Sequence, residues 1–148
     1  LYYQKFTDVP YSGEVTGNKQ GSLKSGKKEG AWAEYYEEGQ LREKVNYKNG
    51  SIEGAIFAYY KNGQLRVKGG TNGSTVLYHE NGDLKAEGKF KNSKPEGNWI
   101  GYHNNGELSM RGKYLNGKKE GTWVQYFVDG TIDKEETGTF KNGKKISD

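Results

Sequence analysis

Residues 97–120 read GNWIGYHNNGELSMRGKYLNGKKE. Segment 98–103 is rich in aromatic and β-branched residues and suits a strand. Asn105-Gly106 follows, and Asn-Gly between two such runs predicts a hairpin with a two-residue type I′ turn, both central residues at φ > 0. The next run alternates: Leu108, Met110, Gly112 and Tyr114 point one way, Ser109, Arg111 and Lys113 the other. Period-two alternation means one buried and one wet face. A second turn, Asn116-Gly117-Lys118-Lys119-Glu120, closes the unit.

The unit recurs along the chain. Trp32, Ile56, Thr75, Trp99 and Trp123 hold one position, and Tyr35, Tyr59, Tyr78, Tyr102 and Tyr126 the next. Gly39, Gly63, Gly82, Gly106 and Gly130 hold the turn, and Leu41, Leu65, Leu84, Leu108 and Ile132 follow two residues later. A fixed period of about 24 residues predicts stacked supersecondary units rather than one globular core. The expected fold is all-β: an elongated, twisted, single-layer antiparallel sheet of tandem β-hairpins. It forms one repeat domain over 1–148, with units near 30–53, 54–72, 73–96, 97–120 and 121–148. Residues 1–29 hold a degenerate unit, expected to cap the stack.

Three details refine this. Gly69, Gly88 and Gly112 recur in the second strand, where a missing side chain makes room for a bulky neighbour such as an aromatic ring. Trp99 and Tyr102 are three apart and face opposite ways in a flat strand, so either both faces are used or a bulge corrects the register. The unit around Asn72–Thr75 is five residues shorter and has no Trp, which predicts a local change of curvature or a smoother patch.

Composition narrows the function. The chain has 23 Gly, 2 Pro, no Cys and a net charge of +4. Absent Cys removes disulfides, thiolate metal sites and thiol nucleophiles. The charge is a mild bias toward acidic partners, far from a committed nucleic-acid surface, and no apolar run approaches the ~20 residues of a membrane span. Gly21–Lys28 nearly spells a phosphate-binding loop, but it lacks the Ser/Thr after Lys and recurs wherever the repeat demands. His79 and His103 occupy one slot in consecutive units, where Tyr36, Tyr60 and Phe127 stand elsewhere, so the slot is an aromatic one. No nucleophile, acid–base pair or metal set stands off the pattern, so an enzyme, a cofactor, a metal and a small-molecule substrate are not expected.

At Tyr114–Trp123 and Phe90–Trp99 the pattern Y-x-N-G-K-x-x-G-x-W resembles the MORN repeat superfamily, and the longer unit with N-G-x-L resembles its bacterial YwqK-type antitoxin variant. The resemblance spans Tyr11 to Lys145. It implies a continuous sheet of hairpins that coils along its length, with roles in toxin neutralisation or in membrane and protein scaffolding, and no catalytic residues. The expected function is a non-enzymatic antitoxin or immunity-type protein that occludes a partner toxin. Its alternatives are a scaffold on acidic lipid or protein and a carbohydrate-binding module. The partner-binding candidates are Tyr36, Tyr60, His79, His103 and Phe127, with Arg42 and Arg66 beside them. The Lys-Lys-Glu turns are expected to be solvated loops. The sequence leaves localisation open: a cytosolic start fits an antitoxin, an upstream signal with a lipid anchor fits a scaffold.

Overall fold

A computed structural model describes Tyr2 and residues 8–148. Positions 1 and 3–7 of the expected capping segment lie outside the described residues. The fold is all-β, an open antiparallel meander of hairpins in which strand order follows chain order. The chain folds as two compact units, Leu1–Leu65 and Arg66–Asp148.

The first unit holds β1 (Gly13–Val15), β2 (Lys19–Lys24), β3 (Lys27–Tyr35), β4 (Leu41–Lys48) and β5 (Ser51–Tyr59). β6 (Leu65–Gly69) leads into the second. There follow β7 (Gly73–Tyr78), β8 (Leu84–Lys91), β9 (Lys94–Tyr102), β10 (Leu108–Leu115), β11 (Lys118–Gln125), β12 (Gly138–Lys141) and β13 (Lys144–Ser147).

Two turn types alternate, and they are not where the Asn-Gly signal alone puts them. The type I′ turns are the second ones: φ is 52° and 81° at Asn49-Gly50, 52° and 84° at Asn116-Gly117, and 52° and 84° at Asn142-Gly143. In the first turns positive φ falls only on glycine, as at Gly39 and Gly106. These are three-residue loops: the Tyr36 N–H donates to Gln40 O at 2.8 Å and the Gly39 N–H to Tyr36 O at 3.0 Å. That pattern is a turn followed by a left-handed glycine that forms a bulge. Asn105 therefore acts through its side chain, whose Oδ1 accepts the Glu107 N–H at 3.0 Å. Asn62, Asn81 and Asp129 cap residues two ahead in the same way.

The core lies on the Trp face. Trp123 is fully buried, and Trp32 and Trp99 nearly so. A one-layer sheet can bury so large a ring because the facing strand carries no side chain there. Glu87 pairs with Ile100 and Lys89 with Glu96, so Gly88 alone opposes Gly97, Asn98 and Trp99. Gly112 opposes Gly121–Trp123 in the same manner. A β-carbon on Gly88 or Gly112 would sit inside the Trp99 or Trp123 ring, as expected from the recurring glycines. The indole N–H of each Trp then reaches the backbone of the preceding strand: Trp99 to Lys89 O at 3.2 Å, Trp123 to Lys113 O at 2.9 Å, Trp32 to Ser22 O at 3.1 Å. Phe90 packs edge-on to Trp99, and Tyr114 edge-on to both Trp99 and Trp123. Burial pushes the Tyr114 hydroxyl pKa above its ordinary value.

Ring size and facing residue vary together. Where Trp shrinks to Ile56, the facing residue grows to Val45, which is buried at the same kind of bulge. In the shortened unit Thr75 takes the Trp slot and packs on Gly69. The Thr75 hydroxyl is buried without a hydrogen-bond partner. A buried, unpaired hydroxyl costs about 1–3 kcal/mol, so Thr75→Val, which keeps the shape, is expected to raise the second unit's stability by about 1 kcal/mol in urea melts.

The register puzzle of Trp and Tyr resolves both ways at once. β9 alternates regularly from Trp99 to Tyr102, which puts Trp99 and Gly101 on the core face and Ile100 and Tyr102 on the other. A further bulge lies on the partner strand, where Tyr102 pairs with Leu108 and Gly101 with Met110. Both faces are used, and bulges sharpen the bend of each hairpin.

Candidate binding surface

Each repeated polar motif touches the neighbouring repeat. In Lys27-Lys28-Glu29 and Lys118-Lys119-Glu120 the first Lys lies against the glycine of the next type I′ turn, Gly50 or Gly143. The second rides over the aromatic core: Lys28 Nζ is 4.4 Å from the Trp32 ring centre and 4.6 Å from that of Tyr47, and Lys119 Nζ is 4.7 Å from that of Phe140. The carboxylate accepts the N–H of the next turn's Asn, Glu29 from Asn49 at 2.8 Å and Glu120 from Asn142 at 2.9 Å. Glu96 does the same for Asn116 at 2.8 Å, and in the shortened unit Asn72 replaces the Glu, accepting from Asn92 at 2.8 Å. The Lys-Lys-Glu turns are thus more than solvated loops; they clamp one repeat to the next.

The second aromatic of each pair does likewise at the opposite ends of the hairpins. The Tyr36 hydroxyl donates to Tyr59 O at 2.8 Å, His79 Nε2 lies 2.9 Å from Tyr102 O, and His103 Nε2 lies 2.8 Å from Tyr126 O. A carbonyl only accepts, so both histidines carry their proton on Nε2. Tyr60 is half-buried in the same slot. Phe127 is 53% exposed. Arg42 is exposed but ion-paired to Glu34 at 2.9 Å, and Arg66 is exposed on β6. The candidates from sequence therefore lie along the loop ends, with Tyr36, His79 and His103 bonded into the next repeat. Replacing His103 by Phe, the residue found at 127, removes one such bond. It is expected to lower stability by about 1 kcal/mol in urea melts.

The other sheet face of the second unit carries a groove of about 840 Å³. Its floor is one cross-strand row fixed by register: Val76 opposes Glu87, Glu87 opposes Ile100, Ile100 opposes Arg111, and Arg111 opposes Val124. Lys68 extends the row beyond Val76. Lys89 and Lys113 line the groove one step along their strands. Val76, Ile100 and Val124 are half-buried, and the charged members are exposed. Among the described residues, Lys68, Lys89, Arg111 and Lys113 make no ion pair with the protein. The groove thus alternates apolar and charged residues along its floor, with Glu87 as the one carboxylate in its lining and Glu96 and Glu120 opposite Lys89 and Lys113 in register.

Residues 28–49, 52–70, 71–92 and 95–116 match the family described as MORN repeat variant, more than half of the chain. The chain belongs to the MORN repeat family. No curated protein matches it. A solved structure described as "Crystal structure of GtfA/B complex bound to UDP and GlcNAc" aligns at 16% identity over 97% of this chain, with a TM-score of 0.30. This chain spans 26% of that one.

The matched MORN repeats supply most of the groove: Val76, Glu87, Lys89, Ile100, Arg111 and Lys113 fall within them, and Val124 lies beyond the last. Sequence alone put Arg111 and Lys113 on the wet face, and Glu87 and Lys89 hold the equivalent positions one unit earlier. It could not show their convergence, which depends on bulges that shift register between strands. Val76, Ile100 and Val124 did carry a signal, β-branched residues at a spacing of 24 between the Trp-slot residue and the Tyr.

Proposed function

We propose that this MORN-repeat protein acts by binding another protein, without chemistry of its own, and that its partner is a toxin it occludes. The observation that carries the binding reading is the groove, where Val76, Ile100 and Val124 alternate with Glu87 and Arg111 in one row beside Lys89 and Lys113, cations without an ion pair among the described residues. Interfaces of this kind combine an apolar centre with a polar rim. The repeat motifs outside it are taken up in holding neighbouring repeats together. The antitoxin assignment rests on the likeness of the N-G-x-L unit to YwqK-type antitoxins. Co-expression with the product of the neighbouring gene tests it: growth arrest by that product, relief by this chain, and co-purification of the two are expected. A harmless neighbour that does not co-purify would remove the antitoxin assignment.

A second reading uses the loop ends. In the last loop Phe127 and Val128 are 53% and 60% exposed, where other repeats carry Tyr or His and a polar neighbour, and Ile132 is 50% exposed in the slot that other repeats fill with Leu. That small apolar tip favours a contact through the second unit's aromatic positions, His79, His103 and Phe127.

A further inference from the structure

The groove's dimensions restrict what shape of polypeptide can follow it. Val76, Ile100 and Val124 stand on β7, β9 and β11, two strands apart each time, which is about 9.6 Å per step. Lys89 and Lys113 repeat at the same interval on β8 and β10. A ligand running along this row must present like side chains to the floor at that period. A β-strand presents alternate residues to one face, so its third residue, about 10 Å on, points away. An α-helix returns to the same face after seven residues and about 10.5 Å, and drifts out of step by about 2 Å over two intervals. The left-handed polyproline conformation returns after three residues and about 9.3 Å. It matches the step and is slender.

Charge selects the flanks. Arg111 sits between Ile100 and Val124, Lys89 and Lys113 flank the row, and Lys68 stands at its start. The groove's own lining sets Lys89, Arg111 and Lys113 against Glu87, with Glu96 and Glu120 beside the two lysines in register. We propose that the groove seats an acidic segment of a partner protein in polyproline conformation. Every third residue is apolar and rests on Val76, Ile100 or Val124, and carboxylates at the intervening positions meet Lys89, Arg111 and Lys113. The inference rests on the protein-binding reading and adds the partner's conformation and charge.

The probe is a fluorescein-labelled peptide of three Leu-Pro-Glu triplets, titrated with the full chain and read by anisotropy. Saturable binding is expected, weakening as salt rises because the exposed cations are screened. The double charge reversal Arg111→Glu/Lys113→Glu is expected to weaken it at least about tenfold, with an unchanged thermal melt. On the unaltered protein, amide shifts in NMR spectra are expected to move at Val76, Ile100 and Val124, which needs no variant. A Leu-Pro-Lys peptide is expected not to bind. The inference is overturned by no saturable binding, by equal binding of the Leu-Pro-Lys peptide, or by tighter binding of an acidic helical heptad peptide. Capture by phosphatidylserine vesicles with no response to the peptide overturns it too. If the triplet peptide fails but a co-purified partner is still lost on reversing Arg111, the inference falls while the protein-binding reading stands. If a co-purified partner ignores the groove variant, the groove reading itself falls.

Discussion

Gly112→Val should destabilise the second unit by about 3 kcal/mol, at the upper end for overpacking a tight core. The backbone at Gly112 has no left-handed φ, so the effect is purely steric. Its new β-carbon would enter the space of the Trp123 ring, which is fully buried and cannot swing out without breaking its bond to Lys113 O. Relief should come from an unlikely-looking second change, Trp123→Ile. Together the two reproduce the Val45 and Ile56 combination that the first unit already uses at an equivalent bulge. A double-mutant cycle in urea is expected to show the pair less destabilised than the two single changes added together, by more than about 1 kcal/mol. Simple additivity would mean that ring and glycine do not share one space.

Trp123→Ala is the second large effect. Truncating a buried Trp typically costs about 3–5 kcal/mol, and here the loss includes the edge-on contact with Tyr114, 4.7 Å between ring centres, and the Lys119 cation above the ring. For a unit of this size that should lower the melting temperature by roughly 15 °C or more. Ile56→Ala, at a half-buried position, should cost less than half as much. Differential scanning calorimetry of the two variants checks the ordering. Equal penalties would show that the indole slot is not the main source of stability.

The fold was legible because the period fixes so much. One Tyr, one Gly and one Leu or Ile in each unit are enough to lay out the hairpins, and the alternation from Leu108 to Tyr114 names the faces. The glycine opposite each ring could also be read, since Gly88 and Gly112 recur in step with Trp99 and Trp123. Turn type was harder. A left-handed glycine ends both a type I′ turn and a three-residue loop with a bulge, so Asn105-Gly106 and Asn116-Gly117 look alike in sequence. They differ in what the Asn does: Asn105 caps Glu107 with its side chain, whereas Asn116 adopts φ 52° and gives its N–H to Glu96.

The aromatic row was also visible, but its bonding was not. Tyr36 and His103 share no obvious chemistry until each is seen to reach a Tyr carbonyl 23 residues further on. The groove needed the most structure. Its residues are ordinary wet-face and β-branched positions, and only the bulges at Gly88 and Gly112 bring Glu87, Ile100, Arg111 and Val124 into one line. The shortened unit enters here as well, since Ser74 and Val76 line the groove.

The most direct test compares two surface variants for binding to the co-purified partner by isothermal titration calorimetry: Ile100→Glu on the groove floor and Phe127→Ser at the last loop, each with its thermal melt as a control. Loss of binding with Ile100→Glu and unchanged binding with Phe127→Ser is the predicted result. Unchanged binding with Ile100→Glu, together with loss in Phe127→Ser, would contradict it and move the site to the loop ends.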